Sequence, residues 1–249
     1  MTKRNIKLTI HYDGSAYHGW QKQPDVPSVQ EYIHNAVEKL CGKPARIVGA
    51  SRTDAGVSAI GQVANIKIDT PIPTENFPKA LTELLPDDIA VVQAEDVPFN
   101  FNAISDTEKK LYRYTIHTDS ARPVLDIKHC WHYPYQLNVG VMDNAAKRLL
   151  GKKDFRSFAS ASDTRQSSIR TITLCDVTSE GSRVHIDVEA DGFLYNMVRN
   201  IVGTLVEIGR GRWTPETMTD IIDAKDRTAA GPLAPAAGLC LIRIDYKDI

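Results

Sequence analysis

Along this chain, apolar residues recur with two periods, and the switching between them predicts the elements. From Ile6 to Tyr12, Ile6, Leu8 and Ile10 alternate with Lys7, Thr9 and His11, the period of a half-buried strand. Asp13-Gly14 turns the chain, and Ser28 with Glu31 three residues on reads as a capping box. Behind it Val29, Ile33, Ala36, Val37 and Leu40 keep one helical face until Gly42 supplies the stop. A short strand over 45–50 and another over 62–68 flank the loop Ser51-Arg52-Thr53-Asp54-Ala55-Gly56. Thr74 opens a second helix carrying Phe77, Leu81, Leu84 and Leu85, closed by Pro86, and 89–94 is a last buried strand.

The second half repeats that order. A strand over 111–118 puts Tyr112, Tyr114 and Ile116 on one face, and a helix over 139–150 ends at Gly151. Strands follow over 170–177 and 183–190, the latter alternating Val184, Ile186 and Val188 with Arg183, His185 and Asp187. A very apolar helix spans 194–208, Thr214-Pro215 starts a small one, and 239–246 is a closing strand. Two β-α-β-β-α-β units predict an α+β fold of two ferredoxin-like halves, each an antiparallel sheet with helices on one face. The residues show no repeat between the halves beyond element order. The polar, aperiodic segment 98–110 is the expected linker, which places the halves at 1–105 and 106–249.

Composition narrows the classes. With 249 residues, 42% hydrophobic and 24% charged, the chain has room for one large or two small globular domains and is not a disordered one. Thirty Lys+Arg against 31 Asp+Glu rules out coating of nucleic acid by bulk charge while leaving a local basic groove open. No apolar run reaches the ~18 residues of a membrane span. The first residues, MTKRNIKLTIHYDG, read as a strand and not as a secretory leader. Cys41, Cys130, Cys175 and Cys240 are far apart, the pattern of reduced thiols in a cytosolic protein. The tract His129-Cys130-Trp131-His132 lacks a third metal ligand, so no metal is expected.

Three residues stand out as chemistry. Asp54 lies in a loop between buried strands, where functional groups concentrate, with Arg52 two residues before it. Thr53-Asp54-Ala55-Gly56 is equally a good structural turn. Arg199 sits in a helix apolar nearly all round, where a guanidinium either finds a carboxylate or snorkels to water. Tyr112 and Tyr114 share a strand face, and are either core tyrosines or an aromatic platform for a base. Between Lys147 and Arg170 seven basic residues meet two acidic ones, a solvated surface or a phosphate-binding groove. A hydrolase using Asp54 with Ser51 or His117 has no nucleophile–base spacing to support it.

At these residues the sequence resembles the TruA-type tRNA pseudouridine synthases. The likeness runs from Tyr12-Asp-Gly-Ser-Ala-Tyr-His-Gly-Trp-Gln21 to Ala237-Gly-Leu-Cys-Leu241. Its most specific stretches are Arg52-Thr-Asp-Ala-Gly-Val57, Tyr112-Arg-Tyr114 and Phe193-Leu-Tyr-Asn-Met-Val-Arg-Asn-Ile-Val-Gly203. Asp154-Phe155, Ser157-Phe158 and Arg170-Thr171-Ile172 also stand where the family has them. Three departures are plain: Ser58 where His is usual, Ser51 where Gly is common, and Ile104-Ser-Asp-Thr107 for Arg-Phe-Ser-Ala.

The resemblance implies the pseudouridine synthase fold, two halves joined around a central mixed, mainly antiparallel sheet. It implies Asp54 as the catalytic aspartate, Arg199 as its salt-bridge partner, Tyr112 as the active-site tyrosine, and Arg52 as the residue entering the RNA stack. It further implies a homodimer, no cofactor, and isomerisation of uridines 38 to 40 in the tRNA anticodon stem-loop, and the cysteine pattern adds a cytoplasmic location. Such a reaction oxidises nothing and adds nothing, so a carboxylate suffices. Lys152, Lys153, Arg156 and Arg170 are the expected grip on the RNA backbone. The alternative is a non-catalytic tRNA-binding or RNA-folding protein of the same fold.

Overall fold

The computed structural model describes residues 3–247. The fold is α+β, and the chain divides into two compact units, Met1–Glu108 with Leu241–Ile249, and Lys109–Cys240. Among the described residues no helix is long and apolar enough to cross a membrane.

The first unit contains β1 (Arg4–Tyr12), α1 (Val29–Cys41), β2 (Ile47–Gly49), β3 (Ser58–Ile68), α2 (Phe77–Thr82) and β4 (Ile89–Val97). β1 runs antiparallel between β4 and β3, with Ile6 opposite Ile66 and Leu8 opposite Ala64, and β2 pairs antiparallel with the far side of β3. This is the order expected of a ferredoxin-like half. Ile6, Leu8 and Ile10 are fully buried, as their alternation predicts, and so are Ile33 and Val37 of α1 and Phe77 and Leu81 of α2.

The capping box does not form. The first helical donors, Val29 and Gln30 N–H, go to the carbonyls of Gly19 and Trp20 at 3.2 and 2.9 Å. The Ser28 hydroxyl is left buried without a partner, and the Glu31 carboxylate pairs with Lys22 at 3.0 Å instead. The helix expected to reach Leu85 ends at Thr82, because Leu84 and Leu85 N–H turn back to the carbonyls of Leu81 and Thr82. A turn of 3-10 helix, Thr74–Asn76, precedes it.

The closing strand, β10 (Leu239–Tyr246), hydrogen-bonds to β3 and groups with the first unit from Leu241 onward. The sequence boundary at 105/106 assigns it to the second half instead. Tyr246 explains the attachment: its ring meets Phe101 edge-on at 5.1 Å and its hydroxyl donates to the Ala103 carbonyl at 3.0 Å.

The second unit holds β5 (Thr107–His117), β6 (Trp131–His132), α3 (Val139–Lys147), β7 (Gly151–Asp154), β8 (Ile169–Glu180), β9 (Arg183–Ala190), α4 (Met197–Gly209) and α5 (Thr217–Ala224). β5, β9, β8 and β7 follow one another antiparallel, and β6 lies parallel on β5, so the pairing is mixed and mainly antiparallel. β6 and β7 are two and four residues long, too short to carry a period. The tract His129–His132 thus supplies a strand, with the His132 ring nitrogen against the Asp119 carbonyl at 3.0 Å.

α4 starts at Met197, three residues later than its apolar run, because Asn196 takes a left-handed conformation (φ 62°) at its N-cap. Asn200 through Gly209 are all buried. The segment 231–234 crosses this helix at backbone distance. Thr204 Oγ1 accepts the Gly231 N–H at 2.9 Å, and Ala234 N–H donates to the Arg199 carbonyl at 3.2 Å. A Cβ on Gly203 would stand 1.7 Å from the Pro232 carbonyl oxygen.

Gly203→Ala should therefore destabilise by about 1–3 kcal/mol or more through overpacking, a Tm loss of roughly 2–4 °C per kcal/mol for a chain this size. Gly140→Ala on α3, where the nearest atom would be Asn138 Oδ1 at 3.6 Å, should be neutral or slightly stabilising. Thermal denaturation of the two variants checks the crossing.

Candidate active site

The Asp54 loop joins β2 to β3, and side-chain exposure alternates along it. Ser51 and Thr53 are buried, Arg52 is exposed, and Asp54 is half-buried. Gln62, fully buried on β3, holds the start of the loop at two points: Nε2 donates to the Ser51 carbonyl at 2.7 Å and Oε1 accepts the Ser51 N–H at 3.2 Å. Tyr12 OH and Thr53 Oγ1 share a hydrogen bond of 2.7 Å. The turn itself is closed by Val57 N–H on the Asp54 carbonyl at 3.1 Å, with Gly56 at φ +78°.

The segment 13–20 clamps this loop from outside the sheet. Trp20 N–H donates to the Thr53 carbonyl at 3.1 Å, and Gly56 N–H donates to the Tyr17 carbonyl at 3.2 Å. Gly19, at φ +91°, is required there, since a Cβ would lie 2.5 Å from the Thr53 carbonyl oxygen. The clamp is anchored in turn: Tyr17 OH donates to Asp88 Oδ1 at 2.5 Å and Asp13 N–H to the Asp88 carbonyl at 3.0 Å. Burial first, and then the Asp88 carboxylate, push the Tyr17 phenol far up, so it stays a donor. One departure from the family pattern finds a role here: Ser58 Oγ accepts the Gly14 N–H at 3.0 Å. Gln62 grips only the backbone of Ser51.

In the second unit Tyr112 stands on β5 opposite Val188, nearly buried, its ring edge-on to Phe193 at 5.2 Å. Tyr114, two residues along the same face, is a core tyrosine whose hydroxyl donates to the Pro235 carbonyl at 2.7 Å. Arg113 points the other way and clasps Asp187 through two bonds of 2.7 Å. Arg199 is half-buried at the start of α4. Its Nε donates to the Ala234 carbonyl at 2.8 Å and Nη1 to Asn196 Oδ1 at 3.1 Å. These two acceptors orient the guanidinium.

The basic stretch separates into several environments. Lys147 is held by Asp143 at 2.9 Å and by Asp176, and Arg148 reaches Glu216 at 2.7 Å, so neither adds to an uncompensated surface. Arg165 pairs with Asp163 at 2.5 Å. Lys153 Nζ donates to the Leu150 carbonyl at 2.5 Å, and Arg170 Nη1 donates to the carbonyls of Ser167 and Ile169 at 3.0 and 2.6 Å. Lys152 and Arg156 are exposed. A cavity of about 340 Å3 is lined by Arg156, Arg165, Lys225 and Arg227 together with Asp163 and Asp226.

Lys110 is the group that pattern reading misses. It shares the face of β5 with Tyr112, two residues away. Burial and then the charge of Arg165 pull its ammonium down to about 8, a shift typical of functional clefts. The signal available beforehand is only its i−2 spacing from Tyr112.

The family model described as tRNA pseudouridine synthase matches residues 8–104 and 145–247, which includes Asp54 and Arg199. The "tRNA pseudouridine synthase A" of Thermoanaerobacter sp. (strain X514) is 44% identical over 243 residues, 98% of this chain and 100% of the relative. The "tRNA pseudouridine synthase A 2" of Clostridium perfringens (strain 13 / Type A) is 45% identical over the same shares. That of Caldicellulosiruptor saccharolyticus is 42% identical over the same shares. With matches of this extent through both units, the chain belongs to the tRNA pseudouridine synthase family of isomerases.

Proposed function

We propose that the chain isomerises uridines 38 to 40 of the tRNA anticodon stem-loop, with Asp54 as the group that acts on the sugar–base unit. The observation that carries this reading is the fixing of the Asp54 peptide. Its neighbours Thr53 and Gly56 are bound to Trp20 and Tyr17, while its own carbonyl closes the turn. A half-buried carboxylate on so constrained a backbone is oriented before any substrate arrives, which lowers the cost of reaching the reactive geometry.

The reaction breaks the N1–C1′ bond, turns the uracil, and joins C5 to C1′. The C5 proton leaves and N1 gains one, so atoms balance without oxidant or co-reactant. Asp54 serves as nucleophile toward the base or C1′, or as base toward a ribose proton. Arg199 has the role of its cationic partner, keeping the carboxylate ionised against the effect of burial. Extruding the target nucleotide costs a few kcal/mol. In this reading Arg52, exposed and planar, fills the vacated stack, and Tyr112 packs on the uracil. Lys152, Lys153, Arg156 and Arg170 grip the backbone, and the enzyme works as a cytoplasmic homodimer without a cofactor.

Asp54→Asn should abolish pseudouridine formation, read by carbodiimide labelling of a transcribed tRNA, while tRNA binding is kept. Turnover by that variant refutes the assignment of Asp54, and a wild-type chain that binds tRNA without changing uridine is a non-catalytic binder.

Arg199→Lys should lower kcat about 10²-fold with little change in KM. One ammonium cannot serve Ala234, Asn196 and a carboxylate together. Normal turnover removes Arg199 from the mechanism.

Converting Lys152, Lys153 and Arg156 to Gln should weaken tRNA binding and flatten its salt dependence by about one for each phosphate no longer neutralised. An unchanged slope in a salt titration excludes the backbone grip.

A further inference from the structure

The first unit contains a cavity of about 370 Å3 that the mechanism touches only through Arg52. Its walls are the start of α1 and the strand β2 that leads into the Asp54 loop, with Ile47 and Gly49 among the lining. Four basic side chains border it: Lys22, His34, Arg46 and Arg52. Among the described residues no carboxylate lines it. The acid that enters this network is Glu31, which takes Lys22 at 3.0 Å.

The wall between these side chains is built. Gln30 donates Nε2 to the Ile47 carbonyl at 3.0 Å, while its Oε1 accepts from Gln21 Nε2 at 2.6 Å and from Lys22 N–H at 3.0 Å. The amide therefore ties the end of the clamp segment to β2 and fixes the spacing of the lining residues. Arg46 and Arg52 have no ion-pair partner among the described residues, and both are exposed on this rim. His34 keeps Nδ1 buried with no hydrogen-bond partner. Two exposed guanidiniums without an ion-pair partner and an apolar floor around a concave site make a receptor for an anion with an organic body. Arginine forks match phosphate oxygens in particular.

We propose that this cavity is a phosphodiester subsite for the RNA substrate, taking a backbone linkage next to the target uridine through Arg46 and Arg52. The inference rests on the reaction assigned above and adds a binding element to it. Arg52 lies two residues from Asp54 on the same constrained loop, so a linkage bound here is positioned relative to the carboxylate by one short stretch of fixed backbone.

The test measures the binding of an unmodified tRNA transcript across a salt series, using the whole chain and reading fluorescence anisotropy. Arg46→Gln should weaken binding several-fold and reduce the log K against log salt slope by about one. Arg46→Lys, which keeps a point charge, should restore the slope while recovering only part of the affinity. Lys79→Gln on α2 removes the same charge elsewhere. An unchanged slope in Arg46→Gln, or an equal change in Lys79→Gln, overturns the subsite and leaves only an effect of net charge. Tight competition by inorganic phosphate at millimolar concentration, with no effect of Arg46→Gln on tRNA, also overturns it in favour of a small-anion site. Since binding is read without turnover, failure of the assigned reaction shows in the pseudouridine assay and failure of the subsite shows in the salt slope.

Discussion

The first unit depends on one backbone interaction, that between the segment 13–20 and the loop carrying Asp54. Loops that hold reactive carboxylates are usually the softest part of a domain, because their peptide groups face water. Here the peptides of Thr53, Asp54, Gly56 and Val57 are each engaged. The clamp comes from the segment directly after β1, so the strand that pairs with both β3 and β4 also delivers the brace. Trp20 adds mass to it: nearly wholly buried, it packs against Gly49 where β2 ends, and its backbone carbonyl also receives the second donor of α1. One short stretch of chain therefore caps a helix, packs on the end of a strand and holds the Asp54 loop.

The second unit uses a different device for Arg199. A guanidinium within an apolar helix is normally costly, and two oxygens of its own unit help to hold this one. The left-handed Asn196 turns its side chain amide toward the guanidinium, and the crossing segment presents the Ala234 carbonyl. That crossing exists only because Gly203 and Gly231 allow two backbones to touch. The charge of Arg199 is thus aimed by packing that lies a full turn of helix away.

Much of this was legible in the residues, and what was not has definite causes. β9 and β10 begin and end where alternation predicts, since each has one buried face. Asp54 and Arg52 are candidates because functional groups concentrate in loops between buried strands, although Thr53-Asp54-Ala55-Gly56 is equally a good structural turn. The capping box at Ser28 was misleading because backbone carbonyls from Gly19 and Trp20 reach the helix donors first, a tertiary effect that no local pattern contains. Lys110 was overlooked because its character comes from burial and from Arg165, 55 positions away in the chain. The basic run from Lys147 to Arg170 is less uniform than its spacing suggests, since part of it is neutralised by Asp143, one helical turn before Lys147, and by Asp176 and Glu216, which are distant in sequence.

The grouping of β10 with the first unit has a consequence for biosynthesis. The other strands of that unit are complete by Val97, yet the partner of β3 on this side is supplied only from Leu239 onward. Domains generally fold as they emerge from the ribosome, amino-terminal part first. This one must wait with an open sheet margin while the intervening 109–240 unit is translated. Ring closure across so long an insertion adds little entropy beyond that of a short one, so the delay is one of time more than of stability. During that interval β3 presents unpaired backbone groups, the condition under which nascent chains most need protection from one another.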